Sequence, residues 1–413
     1  MTKNSSTTNC IDCYFKLSLV IIPLLVVFNN KGWLSAALIV LISILGLIVN
    51  KEKVEWLRWE KLFIGSFLAY FLMISISILW FGGDLRDLDT PSRFLLVIPI
   101  FLYVRKSEIN PVWLLFGFVL TAISLGLNEI LYKSLGDSKY LFNLLDHYHS
   151  GIISFIASIF GVTSLLLIHS SRNILINLLL VFSSIVSIYT SFISGGRGVW
   201  IAAFLTLMMF YFLNPLRWSF KYKFFIFSLF ISVFTISFIS PQTGVQGRIN
   251  DLVKNSTAWI DKGTVNSSTG QRFELWKTAF LIIQDNTFFG IGEGNFHTYK
   301  KTLIDEGKVV GNIINYNHPH SEYLATLVEQ GFIGLIILIF LLVTPVLAMR
   351  NYINSATSLN IMSLVSLLLV ISFHYIFYGI ANGVFDHQST TLFFAFFLAF
   401  GMGLLRANLQ IEQ

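Results

Sequence analysis

GFIGLIILIFLLVTPVLAM, residues 331–349, is a run of nineteen residues without one charged side chain. At 1.5 Å of rise per residue, an α-helix of that length matches the roughly 30 Å hydrocarbon core of a bilayer. The run shows no alternation of apolar and polar residues, so it does not read as a β-barrel strand. A helix that is apolar all round buries itself either in lipid or in a large protein core. Composition decides between the two: of 413 residues, 55% are hydrophobic and 12% charged, where soluble proteins carry about a quarter charged residues. This excludes a soluble enzyme, a disordered chain and a disulfide scaffold, and predicts an all-α polytopic integral membrane protein.

Outward from this run, the same length rule predicts eleven more spans, at 15–29, 32–49, 62–81, 92–104, 111–131, 150–168, 174–193, 199–213, 224–240, 361–380 and 390–406. The fourth and eighth of the twelve are short, and are expected to be tilted, broken or partly inserted. Lys16 interrupts the first early and no small-residue cleavage site closes it, so it reads as a span and not a signal peptide. An even count puts both termini on one side. On that side the short loops hold Lys3, Lys16, Lys51, Lys53, Arg58, Lys61, Arg105, Lys106, Arg172, Arg217, Lys221, Lys223, Arg350 and Arg406, 14 of the 28 basic residues. The short loops opposite hold Lys31, Arg86, Arg93, Lys133, Lys139 and Arg197, 6 of the 28. The excess predicts cytoplasmic termini. Because the basic residues are scattered through separate loops, the net charge of +6 predicts no nucleic-acid partner. Cys10 and Cys13 form a lone CxxC with neither further zinc ligands nor a thioredoxin-like setting, and read as incidental thiols.

The remaining basic residues lie in one long segment, 241–330, between the ninth and tenth spans. The expected division is therefore 1–240 (spans one to nine), 241–330 (an extramembrane loop domain with amphipathic helices) and 331–413 (spans ten to twelve). Asn255 to Thr269 is rich in Ser, Thr and Asn and predicts a flexible stretch. Arg272 to Gln284 places Phe273, Trp276, Phe280 and Ile283 at helical spacing, which predicts a helix lying on the membrane surface. Gly290, Gly292 and Gly294 break the chain, and Ser321 to Gln330 puts Tyr323, Leu324, Leu327 and Val328 on one helical face.

Within this frame few residues carry chemistry. GIGEGN has Asn295 where GxGxxG needs its last glycine, and no strand precedes it, so a nucleotide site is not expected. His318, His320 and Glu322 straddle a proline at a spacing that is no standard metal set. No metal or cofactor is expected. Arg197, in SGGRGVW, stands at the junction of two spans; such a charge is ordinarily an interfacial anchor, but the flanking glycines permit close approach of backbone and ligand. Arg272 begins its helix, where the dipole disfavours a cation, and so suggests an anionic partner. His320, in NHPHSEY, has the natural pKa of a proton acceptor at neutral pH. Topology puts all three on one membrane face. Two guanidinium forks neutralise a diphosphate while a neutral histidine deprotonates an attacking sugar hydroxyl. A lipid diphosphate is already a good leaving group, so electrostatic stabilisation suffices without a metal.

STGQRFELWKTAFLIIQDNTFFGIGEGNF (268–296) and HPHSEYLATLVEQGFIG (318–334) resemble the C-terminal module shared by O-antigen ligases, O-antigen polymerases and pilin-type oligosaccharyltransferases. His320-Ser321, nine residues, Gly331, two residues and Gly334 match the H-[NSQ]-x9-G-x-x-G pattern associated with the ligases. The resemblance is sharp over about 190–334 and elsewhere rests on twelve spans with a long late periplasmic loop. It implies a multi-pass protein of a Gram-negative inner membrane with its active site on the periplasmic face. The implied reaction is metal-independent, inverting transfer of O-antigen polysaccharide from undecaprenyl diphosphate to the lipid A–core oligosaccharide of lipopolysaccharide. By this resemblance His320 is the catalytic base and Arg197 and Arg272 serve the diphosphate. Asp386, in NGVFDHQ, matches an acidic position that orients a base or acceptor. His318 and Arg93 are second-tier candidates, Arg93 and Asp146 being structural by default. Trp276 replaces a leucine found in some ligases and is at home in the wider superfamily. A polymerase is the nearest alternative. A transporter or flippase is the alternative of another class; no internal repeat supports it, and the one mid-span ionisable residue, His374, reads as a packed, hydrogen-bonded side chain.

Overall fold

The computed structural model describes residues 16–17, 20–21, 32–49, 55–107, 109–135, 150–168, 173–194, 196–213, 218–263, 265–355 and 358–412. Among them there is no strand. The helices are α1 (Gly32–Val49), α2 (Arg58–Phe81), α3 (Ser92–Leu96), α4 (Ile98–Val104), α5 (Val112–Leu135), α6 (Ser150–Leu167), α7 (Ile174–Ser194) and α8 (Arg197–Leu213). They continue with α9 (Phe220–Ile239), α10 (Val245–Lys262), α11 (Ser268–Asp285), α12 (Phe296–Asp305), α13 (Glu322–Ser355), α14 (Leu359–Tyr378) and α15 (Gln388–Glu412).

Seven described helices, α2, α5, α7, α9, α13, α14 and α15, are long and apolar enough to cross a membrane. Ala36–Val49, Ile152–Leu167 and Arg197–Leu213 are shorter apolar helices at three further expected spans. The expected span 92–104 is instead two short helices, α3 and α4. Pro99 sits in the first turn of α4, and lacking an N–H it cannot continue the hydrogen-bond ladder of α3. Most of the expected span 15–29, together with Cys10, Cys13, Asp146 and the basic residues Lys3, Lys31, Lys51, Lys53, Lys139, Arg172 and Arg217, lies outside the described residues.

The apolar span of α15 is buried from end to end and forms the centre of the bundle. Aromatic rings interlock around it: Phe94 of α3 lies 5.1 Å from Tyr70 and 5.4 Å from Phe385, and Tyr375 lies 4.6 Å from Phe394. His374 is packed as expected, bonded to Ser158 at 3.0 Å and Thr206 at 3.1 Å. At one end of the bundle Glu60 is buried, accepts from the Leu57 N–H at 2.6 Å and pairs with Arg105 at 3.1 Å, with Arg406 at 3.7 Å.

The opposite end carries α10, α11 and α12, and here two expectations are corrected. The stretch expected to be flexible is largely helical, since α10 extends to Lys262. Its Ser256 and Thr257 hydroxyls donate to the Leu252 and Val253 carbonyls four residues back, both at 2.7 Å, so the polar side chains do not pull the backbone out of the helix. The second correction concerns α11. Its buried face is Leu275, Ala279 and Ile282, which join Val265, Ile291, Phe296, Val309, Ile313 and Val328 in a small separate core. Of the face expected to lie on the membrane, Phe280 is exposed while Phe273 packs between Trp259 and Trp276. Both faces have helical spacing, and packing against α10 and α13 selects between them.

Candidate active site

The glycines around the site make room for protein. Gly331 has φ +66°, a conformation that side chains with a Cβ rarely adopt, and a Cβ there would stand 2.3 Å from the Phe288 carbonyl. It interrupts α13, and Phe332 N–H donates to the Thr287 carbonyl at 2.9 Å, so the turn after α11 threads through the break. A Cβ on Gly334 would crowd Thr326 and Met73, where α13 crosses α2. The spacing between His320 and these glycines is thus the distance from the start of α13 to its break. The N–H groups of GIGEGN are likewise used internally: Ile291 and Gly292 bond the Val328 and Glu329 carbonyls, both at 2.9 Å, and Glu293 N–H bonds Ser77 at 3.0 Å. Around Arg197 the close approach is also to protein. A Cβ on Gly196 would meet Ser154, and one on Gly198 would meet Ala381 and Tyr378.

His320 stands just before α13 with φ +54°, and among the described residues it is the one non-glycine with positive φ. Histidine tolerates this region better than branched residues do, yet such backbones cluster at functional sites. Its own N–H donates to His318 Nδ1 at 3.0 Å. That leaves the His318 proton on Nε2, which meets Asp386 Oδ2 at 2.8 Å. The two imidazole centroids are 4.4 Å apart, and Tyr316 lies 5.3 Å from His320. His320 Nδ1 faces Asn382 Oδ1 at 3.4 Å, while the Asn382 amide nitrogen donates to Tyr378 Oη at 2.8 Å. Since Asn382 therefore presents oxygen, the His320 proton belongs on Nδ1 and Nε2 is left as an acceptor. Burial pushes the His320 pKa down to about 4, with His318 and Arg272 adding to the effect. The ring is neutral at pH 7.

The arginines converge from three elements. Arg197, first residue of α8, donates to the Arg248 carbonyl at 3.1 Å and to Ser268 Oγ at 3.0 Å. Arg248, in the first turns of α10, donates to the Phe192 carbonyl at 3.2 Å. Burial, then the Arg197 charge, lowers the Arg248 pKa. Arg272 is half-buried, within electrostatic reach of Arg197, Tyr316, Tyr378 and His320, and has no hydrogen-bond or ion-pair partner among the described residues. Burial is the main cause of its lowered pKa. The helix begins at Ser268, capped by Ser267, so Arg272 lies in the second turn and the expected dipole conflict is weak. What marks Arg272 is a guanidinium beside a second guanidinium, with no carboxylate on either.

Arg197, Arg272, His320, His318 and Asp386 thus form one neighbourhood. Arg93 is not among the arginines here: both its Nη atoms bond Asp89, at 3.0 Å, in an i, i+4 pair. Arg248, Asn382 and Tyr378 were not singled out by sequence. Arg248 had a signal, since like Arg272 it is a cation early in a helix of the long segment. Lys300 holds the approach to the site: fully buried, it donates to the Ile314 carbonyl at 3.0 Å and to that of Tyr316.

Under Arg197 an apolar groove of about 370 Å³ runs between α8, α9 and α10, lined by Trp200, Phe204, Phe230 and Phe234 among others. Arg197 lines this groove as well as standing beside Arg272, so the groove and the guanidinium cluster are continuous.

Residues 182–339 match the family described as O-Antigen ligase, which supports the O-antigen ligase/polymerase superfamily. An uncharacterized protein of Haemophilus influenzae is 27% identical over 397 residues, covering 94% of this chain and 96% of that protein.

Proposed function

From its place in the O-antigen ligase/polymerase superfamily, we propose that this protein is an O-antigen ligase. It moves a polysaccharide from undecaprenyl diphosphate to a hydroxyl of the lipid A–core oligosaccharide during lipopolysaccharide synthesis. It works in a Gram-negative inner membrane, termini in the cytoplasm, His320 on the periplasmic face. The observation that carries this reading is Arg272, a half-buried cation without a counter-ion beside Arg197 and a neutral histidine. An unpaired guanidinium in a partly dry site costs free energy that an anionic ligand recovers.

In this reaction the diphosphate sits on Arg272 and Arg197, and the isoprenoid chain lies in the groove beneath Arg197. His320 Nε2 takes the proton of the acceptor hydroxyl, whose oxygen attacks the anomeric carbon from the face opposite the phosphate. The carbon–phosphate oxygen bond breaks with inversion, and its electron pair leaves with the lipid diphosphate, neutralised by the arginines. The chemistry assigns no metal. The Asp386–His318 pair positions His320 from behind through the backbone N–H bond.

The test is reconstitution of the purified protein with lipid-linked glycan and lipid A–core. A ligase makes a glycan–core conjugate. A lengthened lipid-linked chain identifies a polymerase, and donor moved across the bilayer without either product identifies a flippase.

A further inference from the structure

A second cavity, of about 520 Å³, adjoins the His318–Asp386 pair. Its wall carries six carboxyl groups, Asp87, Asp89, Glu293, Glu322, Glu329 and Asp386, and one guanidinium, Arg86. It meets the site directly, because Asp386 is the partner of His318 and Glu322 follows His320 by two residues. Arg197, Arg248 and Arg272 are not part of the wall. The carboxylates are spread around it, and among the described residues no three His, Cys, Asp or Glu side chains converge to hold a metal ion. Tyr70 also lines the cavity. It is 5% exposed, its hydroxyl is within electrostatic reach of Glu293, Glu322, Glu329 and Asp386, and it has no hydrogen-bond partner among the described residues. A buried hydroxyl left open toward a polar cavity is a position for a ligand's oxygen.

We propose that this cavity is the acceptor subsite, and that the sugar rings it holds are rich in free hydroxyls. The assignment rests on the transfer reading above. Dispersed carboxylate oxygens accept hydrogen bonds from hydroxyls at many points, as a polyol requires and a single ion does not. Burial, and then Asp87, Glu322 and Asp386, push the Glu293 pKa up, so the wall also holds a proton it can donate to a sugar oxygen.

The test uses the full-length protein in nanodiscs with lipid-linked donor, measuring KM for donor and acceptor separately. Asp87→Asn and Tyr70→Phe are nearly isosteric and touch neither His320 nor the arginines. Each should raise acceptor KM about tenfold, the loss of one hydrogen bond to a ligand, with donor KM within about twofold of the unaltered protein. Unshifted acceptor KM in both variants overturns the subsite. Absence of any transfer by the unaltered protein instead overturns the transfer reading on which it rests.

Discussion

The arginine side of the site and the carboxyl-rich cavity next to it differ in how their ionisable groups are compensated. On one side Arg197 and Arg248 donate only to neutral oxygens and Arg272 has no partner among the described residues. On the other, Asp386 meets His318, Glu329 accepts from Gly294 N–H, Glu293 bonds Gln330, and the raised pKa of Glu293 lets it stay protonated. A crowded carboxylate can relieve its neighbours by keeping a proton. A guanidinium cannot, because it does not lose its proton in a protein. The carboxylate wall is therefore stable while empty, whereas the arginine wall is complete only with an anion in place.

Breaking the site at the boundary between the walls should have the largest effect. His320→Ala removes the base and should lower transfer by roughly 10²–10⁴-fold with donor affinity and protein level preserved; normal ligation in cells carrying it would refute the catalytic assignment. Replacing the fork on the cationic side comes next. Arg272→Lys, and likewise Arg197→Lys, should raise donor KM by about 10–100-fold with acceptor KM unchanged, since an ammonium cannot reproduce a bidentate contact. Wild-type kinetics in both would reduce the arginines to anchors. A smaller effect is expected behind the histidine: Asp386→Asn loosens His318 and should lower kcat by about tenfold or less, with its orientation partly rescued by the amide oxygen.

The pH dependence sharpens the same comparison. The reaction needs His320 neutral, and its pKa lies at about 4, below the usual 6.5. Activity should accordingly be flat from pH 7 to 6 and fall only as pH drops toward that value. Arg272 is one of the charges that depress the ring, so inorganic diphosphate bound there should move the His320 titration upward. A titration followed by NMR at His320 checks both. An acid limb near 6.5, or no upward shift with diphosphate, would contradict the assigned neighbourhood.

Much of this was legible in the sequence where one local property decides the outcome. Among the described residues, apolar runs of membrane length gave helices at ten expected positions, and Arg197, Arg272 and His320, grouped by span counting, lie near one another. What was not legible depended on distant partners. The broken stretch 92–104 turned on how α3 and α4 pack around Pro99. The buried face of α11 is set by the small core around Leu275 and Ile282, and an equally periodic aromatic face competed with it. The helicity of Ser256 and Thr257 depends on hydroxyls folding back onto their own helix. Arg248 looked like any loop cation until α10 brought it to Arg197. The carboxylate cavity joins positions as far apart as Tyr70 and Thr391, and no local pattern announces it.

The claim that the arginine wall holds the donor's diphosphate is tested most directly by inhibition with inorganic diphosphate during reconstituted transfer. Inhibition should be competitive with the lipid-linked donor, not competitive with the acceptor, and at least about tenfold weaker in Arg272→Lys. Competition with the acceptor, or equal potency against the variant, would contradict it.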